Sequence, residues 1–469
     1  MSRVDLAIVR GDVLTTHLAP MTLLVHQGRV HALQAPDAPV DAATVVDARG
    51  MLVIPGAIDI HFHCRDPSYP HRGDFASETR AAAAGGVTSV FEMPISKPGT
   101  ATLARWRQRA EVAVAKVYVN VGLYAAPGLL DGDDLRALVQ EGVIGFKLFT
   151  TQAAAGREDE FEGLVTHSVA HVLKALELLR DFGLRCVFHA EEQSLLDLYR
   201  ARAERLPGPD YLRHGASRPG VVEAAAVAVL VQLALETGCP VHIAHVSSAA
   251  TLDVIRYAKR VGAPVTAETC PHYLFCTEAD LAQADAFGVI NPPIRHQADQ
   301  DALWAALQDG TLDVVATDHA PFSWEEKDAA RGNVLEAPPG HPGVETLLPL
   351  LMTAVAQGRL SLEQVVALVS ERPARLFGLY PFKGALAPGS DADIAIYDPR
   401  ERRVLRRGEG ESRAADCNVL FDGREVAGRV HATIVNGVLV YHEGAIVGQP
   451  GTGRIVRPGC STADPVLAS

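Results

Sequence analysis

Six residues able to hold metal ions run through the chain in one order. His61 and His63 lie in PGAIDIHFHCRDP, Lys147 in GVIGFKLFT, His189 in RCVFHAEE, His245 in VHIAHVSS and Asp318 in VVATDHAP. Each stands at or just past the end of a short apolar run that reads as a buried strand. In a parallel α/β barrel the strand C-termini converge on one face, and that face carries the chemistry. Four imidazoles, a carboxylate and a lysine meeting there would make a hydrolytic metal centre.

Each residue also has a plainer reading. Side chains two apart on a strand point the same way, so His61 and His63 share a face, with Ile60 and Phe62 on the other. A lone pair of this kind is weak evidence, but Asp59 before it and Arg65 after it mark a polar strand end. Lys147 sits inside VIGFKLF, where an unpaired ammonium is costly. It either snorkels to a rim or joins a buried ion pair, or it is carbamylated, since a buried neutral lysine is nucleophilic. His189 and His245, taken singly, are equally core histidines. His242 lies three before His245, so strand alternation turns it away and gives it a structural role. Asp318 follows LDVVAT, where ligation of a metal would offset its desolvation. Nitrogen and oxygen donors without thiolate favour Zn²⁺, with Mn²⁺, Co²⁺ or Fe²⁺ as alternatives.

The elements that must position these groups follow from the pattern. Residues 1–54 read as short strands punctuated by Gly11, Gly28 and Gly50. Residues 55–380 alternate apolar strands with Ala/Leu/Glu-rich helices, the mark of βα units and a parallel sheet. Residues 381–450 return to short strands. The expected architecture is α/β: a (β/α)8 TIM barrel inserted into a small β-sandwich built from both chain ends. Residues 451–469, rich in Pro, Gly and Ser, read as a loose tail or a segment wrapped on a neighbouring subunit.

Composition narrows the partners. The formal net charge of −13 argues against nucleic acid and anionic membranes, leaving a small molecule as the natural target. Seven cysteines without paired spacing read as reduced thiols of a cytoplasmic protein. The N-terminus shows no apolar core of a signal peptide, and no apolar run is expected to span a membrane.

With these motifs assembled, the chain resembles the cyclic amidohydrolases: hydantoinases and dihydropyrimidinases, allantoinases and dihydroorotases. The resemblance runs from PGAIDIHFHCRDP through ETRAAAAGGVTSVFEMP, GFKLF, ETCPHYL, NPPIR, ATDHAPF and HPGVETLLPLL to KGALAPGSDADIAIYDP. It implies a homotetramer, with a homodimer as the alternative, and two divalent metals bridged by a carboxylated Lys147 and a hydroxide. His61 and His63 would hold the more buried metal, and His189 and His245 the other. Asp318 would be a ligand and the catalytic proton shuttle, and the hydroxide would open a ring amide.

The resemblance also bears on which ring is opened. Dihydroorotases grip a substrate carboxylate with an arginine after HxH, an asparagine in MPNT and a histidine in TDxAPH. This chain keeps Arg65 but has Ile95 and Phe322 at the other two positions. A buried carboxylate with one partner binds poorly. Hydantoinases carry a tyrosine five residues after the lysine; here Gln152 stands there. Asn291, in NPPIR, is placed at the ring amide, and Gly343, in HPGVET, with the other substrate contacts. The expected substrate is a cyclic ureide or imide of hydantoin, allantoin or dihydropyrimidine type, with dihydroorotate second. An inactive scaffold is disfavoured because all six ligand positions are intact.

Overall fold

Short Val- and Ile-rich runs alternating with Ala- and Leu-rich segments give parallel strands joined by helices. The computed structural model, which describes residues 3–153, 156–166 and 168–463, contains eight such strands in one sheet. In order they are Ala57–Phe62, Val87–Glu92, Asn120–Ala125, Gly145–Phe149, Cys186–His189, Val241–Ile243, Val265–Thr269 and Val314–Val315. Phe62 pairs in parallel with His319, and the His63 N–H donates to the His319 carbonyl at 2.7 Å. These bonds bring the first strand to the segment after the eighth, and the expected barrel is formed.

Ile58, Ile60, Phe91, Tyr124, Val187 and Val314 fill the barrel, with Phe377 packed against them. Phe62, Phe146, Phe188, Leu230 and Leu348 belong to the layer between strands and helices. Ile60 and Phe62 therefore do not share a layer, contrary to simple alternation. The cause is a slip in pairing between Asp59 and Phe62, a bulge that re-aims the strand end.

The two chain ends build a separate nine-stranded sheet. Its seam is the antiparallel pairing of Leu52–Pro55 with the strand Ile394–Val404, Leu52 opposite Tyr397 and Pro55 opposite Ile394. Leu6, Val25 and Val53 share one buried cluster with Ile394, Ile396 and Ile434, so neither end has this core without the other.

As far as residue 463 the tail packs on its own chain rather than hanging loose. Ile455 bridges to Val121 beneath the third barrel strand, and Val456 is fully buried. Thr462 Oγ1 lies 2.9 Å from the buried Lys383 ammonium, which also pairs with Asp391 at 3.1 Å and with Asp393. Lys383→Met would leave two carboxylates buried without their cation. The expected loss is roughly 3–5 kcal/mol, read as a lowered urea midpoint.

One helical run, Asp210–Thr237, is long and apolar enough to cross a membrane by length and composition, with a mean hydropathy of 1.7. It exceeds what the sequence reading expected. Its Val227, Leu230 and Ala234 are buried in the layer that covers the barrel strands, whereas Val221, Val229 and Leu235 are exposed.

Candidate active site

The strand ends place five of the six expected ligand residues within one network. His245 and Asp318 lie just past the sixth and eighth strands with φ of 40° and 48°. Left-handed backbone is uncommon for residues with side chains, and such strain clusters at functional sites. His61 Nε2 and His63 Nε2 lie 3.2 and 3.3 Å from the same Asp318 oxygen. Donor atoms of His61, His245 and Asp318 fall within 4.8 Å of one another. His189 Nδ1 is 2.9 Å from His245 Nε2.

A second layer of acids aims these rings. Glu268, on the seventh strand, accepts from His61 Nδ1 at 2.5 Å and from His242 Nε2 at 3.1 Å. Glu191 holds His189 Nε2 at 2.8 Å and pairs with Arg218. Carboxylates behind imidazoles fix the tautomer and leave the other ring nitrogen facing the site. Burial alone would raise the Glu268 carboxyl, but His61 and His242 hold it well below the usual range. Asp318 behaves likewise, lowered by His61, His63 and His245 against its burial. Burial pushes His63 down to about 3, so it is a neutral imidazole at neutral pH.

Asp59 ties the first strand to the eighth. Its carboxylate accepts from the Thr317 N–H at 3.0 Å, from the Thr317 hydroxyl and from the His61 N–H at 3.3 Å. Burial raises it to about 6. His242 needs a correction. It does not turn away from the barrel, but lies inside it between Thr266 and Glu268, under His61. The alternation argument failed because the sixth strand ends at Ile243 and His245 lies beyond it with left-handed backbone. A structural role for His242 still fits.

Lys147 is the sixth residue. Its ammonium is fully buried and, among the described residues, makes no hydrogen bond. Burial lowers it to about 8, against the pull of Glu268 and Asp318. The rim reading and the buried ion-pair reading both fail, since Nζ reaches neither solvent nor a carboxylate partner. An unpartnered buried amine, three imidazoles and a carboxylate converging, and a fourth imidazole beside them fit a nitrogen–oxygen metal centre.

The expected substrate contacts are placed less uniformly. Arg65 is buried, has φ of 58°, donates to the Pro321 carbonyl at 3.2 Å and stands 4.8 Å over the Phe322 ring. Its Nε has no partner. Ile95 is buried with Ala126, Leu164 and Phe149. Asn291 is half-buried, with a buried side-chain oxygen left unpartnered. The Gly343 N–H donates to His319 Nδ1 at 3.1 Å. Gln152 is exposed, and its backbone N–H donates to the Gln193 side-chain oxygen at 2.8 Å. Two residues escaped the sequence reading. His272 and His341 are buried, with Nε2 of the first and both nitrogens of the second unpartnered. The histidines of ETCPHYL and GHPG were the available signal.

The model of the amidohydrolase family matches residues 52–440. The chain belongs to that family. It is 34% identical to a D-phenylhydantoinase of Escherichia coli O1:K1 / APEC over 454 residues, covering 94% of this chain and 95% of that one. Its fold superposes on the L-hydantoinase (dihydropyrimidinase) from Arthrobacter aurescens with a TM-score of 0.91 at 30% identity, covering 97% of this amidohydrolase and 100% of that chain. A dihydropyrimidinase from Brevibacillus agri NCHU1002 gives a TM-score of 0.88 at 30% identity, covering 97% and 98%.

Proposed function

We propose that this chain hydrolyses a ring amide C–N bond of a cyclic ureide or imide, of hydantoin, allantoin or dihydropyrimidine type. The observation that carries the reading is the Asp318 carboxylate, held at the strand ends against His61 and His63. The hydantoinase and dihydropyrimidinase names of full-length relatives support the substrate class. The site residues would be His61, His63, Lys147, His189, His245 and Asp318, holding two divalent cations, Zn²⁺ first. Lys147 would bridge them after its neutral amine adds to carbon dioxide, giving a carbamate and releasing one proton. Bound there, the ions supply an acidified water and polarise the ring carbonyl.

The remaining steps fall to the chain. Asp318, ionised, accepts the proton of the attacking water and returns it to the departing ring nitrogen. Glu268 and Glu191 keep His61 and His189 in place without moving protons. Arg65 and Asn291, each with an unpartnered polar atom, face the ring or its substituent. Assembly as a homotetramer or homodimer and a cytoplasmic location belong to the same reading.

Dihydroorotate is not favoured. Phe322, where a second carboxylate contact would stand, is buried, and the Arg65 and Arg72 guanidinium groups lie 4.8 and 4.5 Å from its ring centre. A panel of hydantoins, dihydrouracil, allantoin, dihydroorotate and succinimide, with metal supplied, tests the assignment. Arg65→Met should change kcat/KM for neutral ureides modestly. If Arg65 grips a carboxylate, the loss on dihydroorotate should reach roughly 2–5 kcal/mol. Efficient wild-type turnover of dihydroorotate, abolished by the substitution, would reverse the ranking.

A further inference from the structure

The C-terminal edge of the nine-stranded sheet carries three metal-binding groups that the reaction site does not use. His431 lies on the strand Glu425–Val435, His442 ends Val438–His442, and Glu443 starts the turn to Ala445–Ile446. One donor atom from each lies within 4.8 Å of the others. The backbone sets this convergence. Ala432 pairs with His442, and the Glu443 N–H donates to the His431 carbonyl at 2.9 Å. Glu443 and Gly444 form the two-residue loop with φ of 49° and 91°. Such loops favour Asn-Gly or Gly-Gly, so a glutamate at the first position is held in strained backbone.

The donors are free to bind. His431 is 6% exposed, and its Nδ1 is buried with no hydrogen-bond partner. Its ring meets that of His442 edge-on, with centroids 5.1 Å apart. Burial, and next the neighbouring His442, lower its pKa, which favours the neutral ligand form. Nearby carboxylates are already taken, Asp398 by Arg400 at 2.7 Å and Glu401 by Arg429 at 3.1 Å. Among the described residues the His442 and Glu443 side chains make no hydrogen bond or ion pair.

We propose that His431, His442 and Glu443 form a second cation site, for a divalent transition metal such as zinc or copper, separate from the reaction centre. Two imidazoles and a carboxylate suit these ions better than calcium or magnesium. Ligands about 2.1 Å from a tetrahedral zinc stand roughly 3.4 Å apart. Rotation of the exposed Glu443 and half-buried His442 side chains closes the trio to that spacing, with water in the fourth position. The ion fastens the two outermost strands of the sheet to the strand of His431.

The test uses tag-free enzyme with its reaction-centre metal in place, titrated calorimetrically with zinc chloride, and with copper(II) for electron paramagnetic resonance. One further equivalent per chain is expected, with nitrogen splitting from two imidazoles in the copper spectrum. His442→Ala and Glu443→Gln should each weaken that equivalent about tenfold or more and leave turnover unchanged. His431 is left intact because its burial ties it to folding. No further equivalent in the wild type, or one that survives both substitutions at full affinity, overturns the proposal. Neither readout depends on which ring the enzyme opens.

Discussion

Lys147→Ala is expected to yield a folded protein that has lost most of its metal and its turnover. The substitution removes a buried amine that, among the described residues, makes no hydrogen bond and sits within the electrostatic reach of Asp318 and Glu268. Lewis-acid assistance is worth several kcal/mol, so turnover should fall about 10³-fold or more. Metal analysis and kcat are read together, and short-chain carboxylates should restore part of both by standing in for the carbamate. An unmodified Lys147 in a fully metallated, active enzyme would sink the proposal. The pH dependence has a definite sign. Burial lowers the ammonium to about 8, so the neutral amine prevails above that pH. Its share falls about tenfold for each unit below. At fixed dissolved carbon dioxide, reactivation of metal-stripped, decarboxylated enzyme should therefore slow as pH drops from about 8 to 6.

Asp318→Asn should separate proton transfer from metal binding. The amide keeps the shape and one ligand oxygen between His61 and His63 but cannot accept the proton. General acid–base groups contribute about 10²–10⁴-fold, and a loss of kcat in that range is expected with metal content largely retained. Near-normal turnover would remove Asp318 from the shuttle role. A loss of metal equal to the loss of turnover would make it a ligand alone.

The barrel and the convergence of the four histidines and Asp318 were legible because these residues sit at or near the ends of apolar runs, and that signal survives in one dimension; Lys147 stood out instead as a charge inside one. The groups that orient them were not. Glu268 lies one residue before the end of the strand VTAET, and only the closed barrel shows that it spans His61 and His242. Asp59 and Thr317 meet across the seam between the first and eighth strands, far apart in the chain. Alternation failed at Ile60 and at His242, where a bulge and a strand end break the period of two. Gln152 shows the limit for loops. Its position after Lys147 could be counted, but its exposure depends on how the chain leaves the strand and docks on Gln193.

The seam between the chain ends has a consequence for how the protein is made. Leu52–Pro55 pairs with a strand that begins at Ile394, and the third barrel strand gains its last neighbour only at Ile455. A ribosome adds about 5–20 residues per second. The first strands therefore wait on the order of tens of seconds for their partner, with an unpaired apolar edge of the kind that invites aggregation. The barrel is synthesised during that wait, and Val456, later in the chain than the seam strand, packs into its core. Completion of this fold thus waits for the segment from Ile394 to Val456, and nascent chains stalled short of it leave both the sheet and the barrel unfinished.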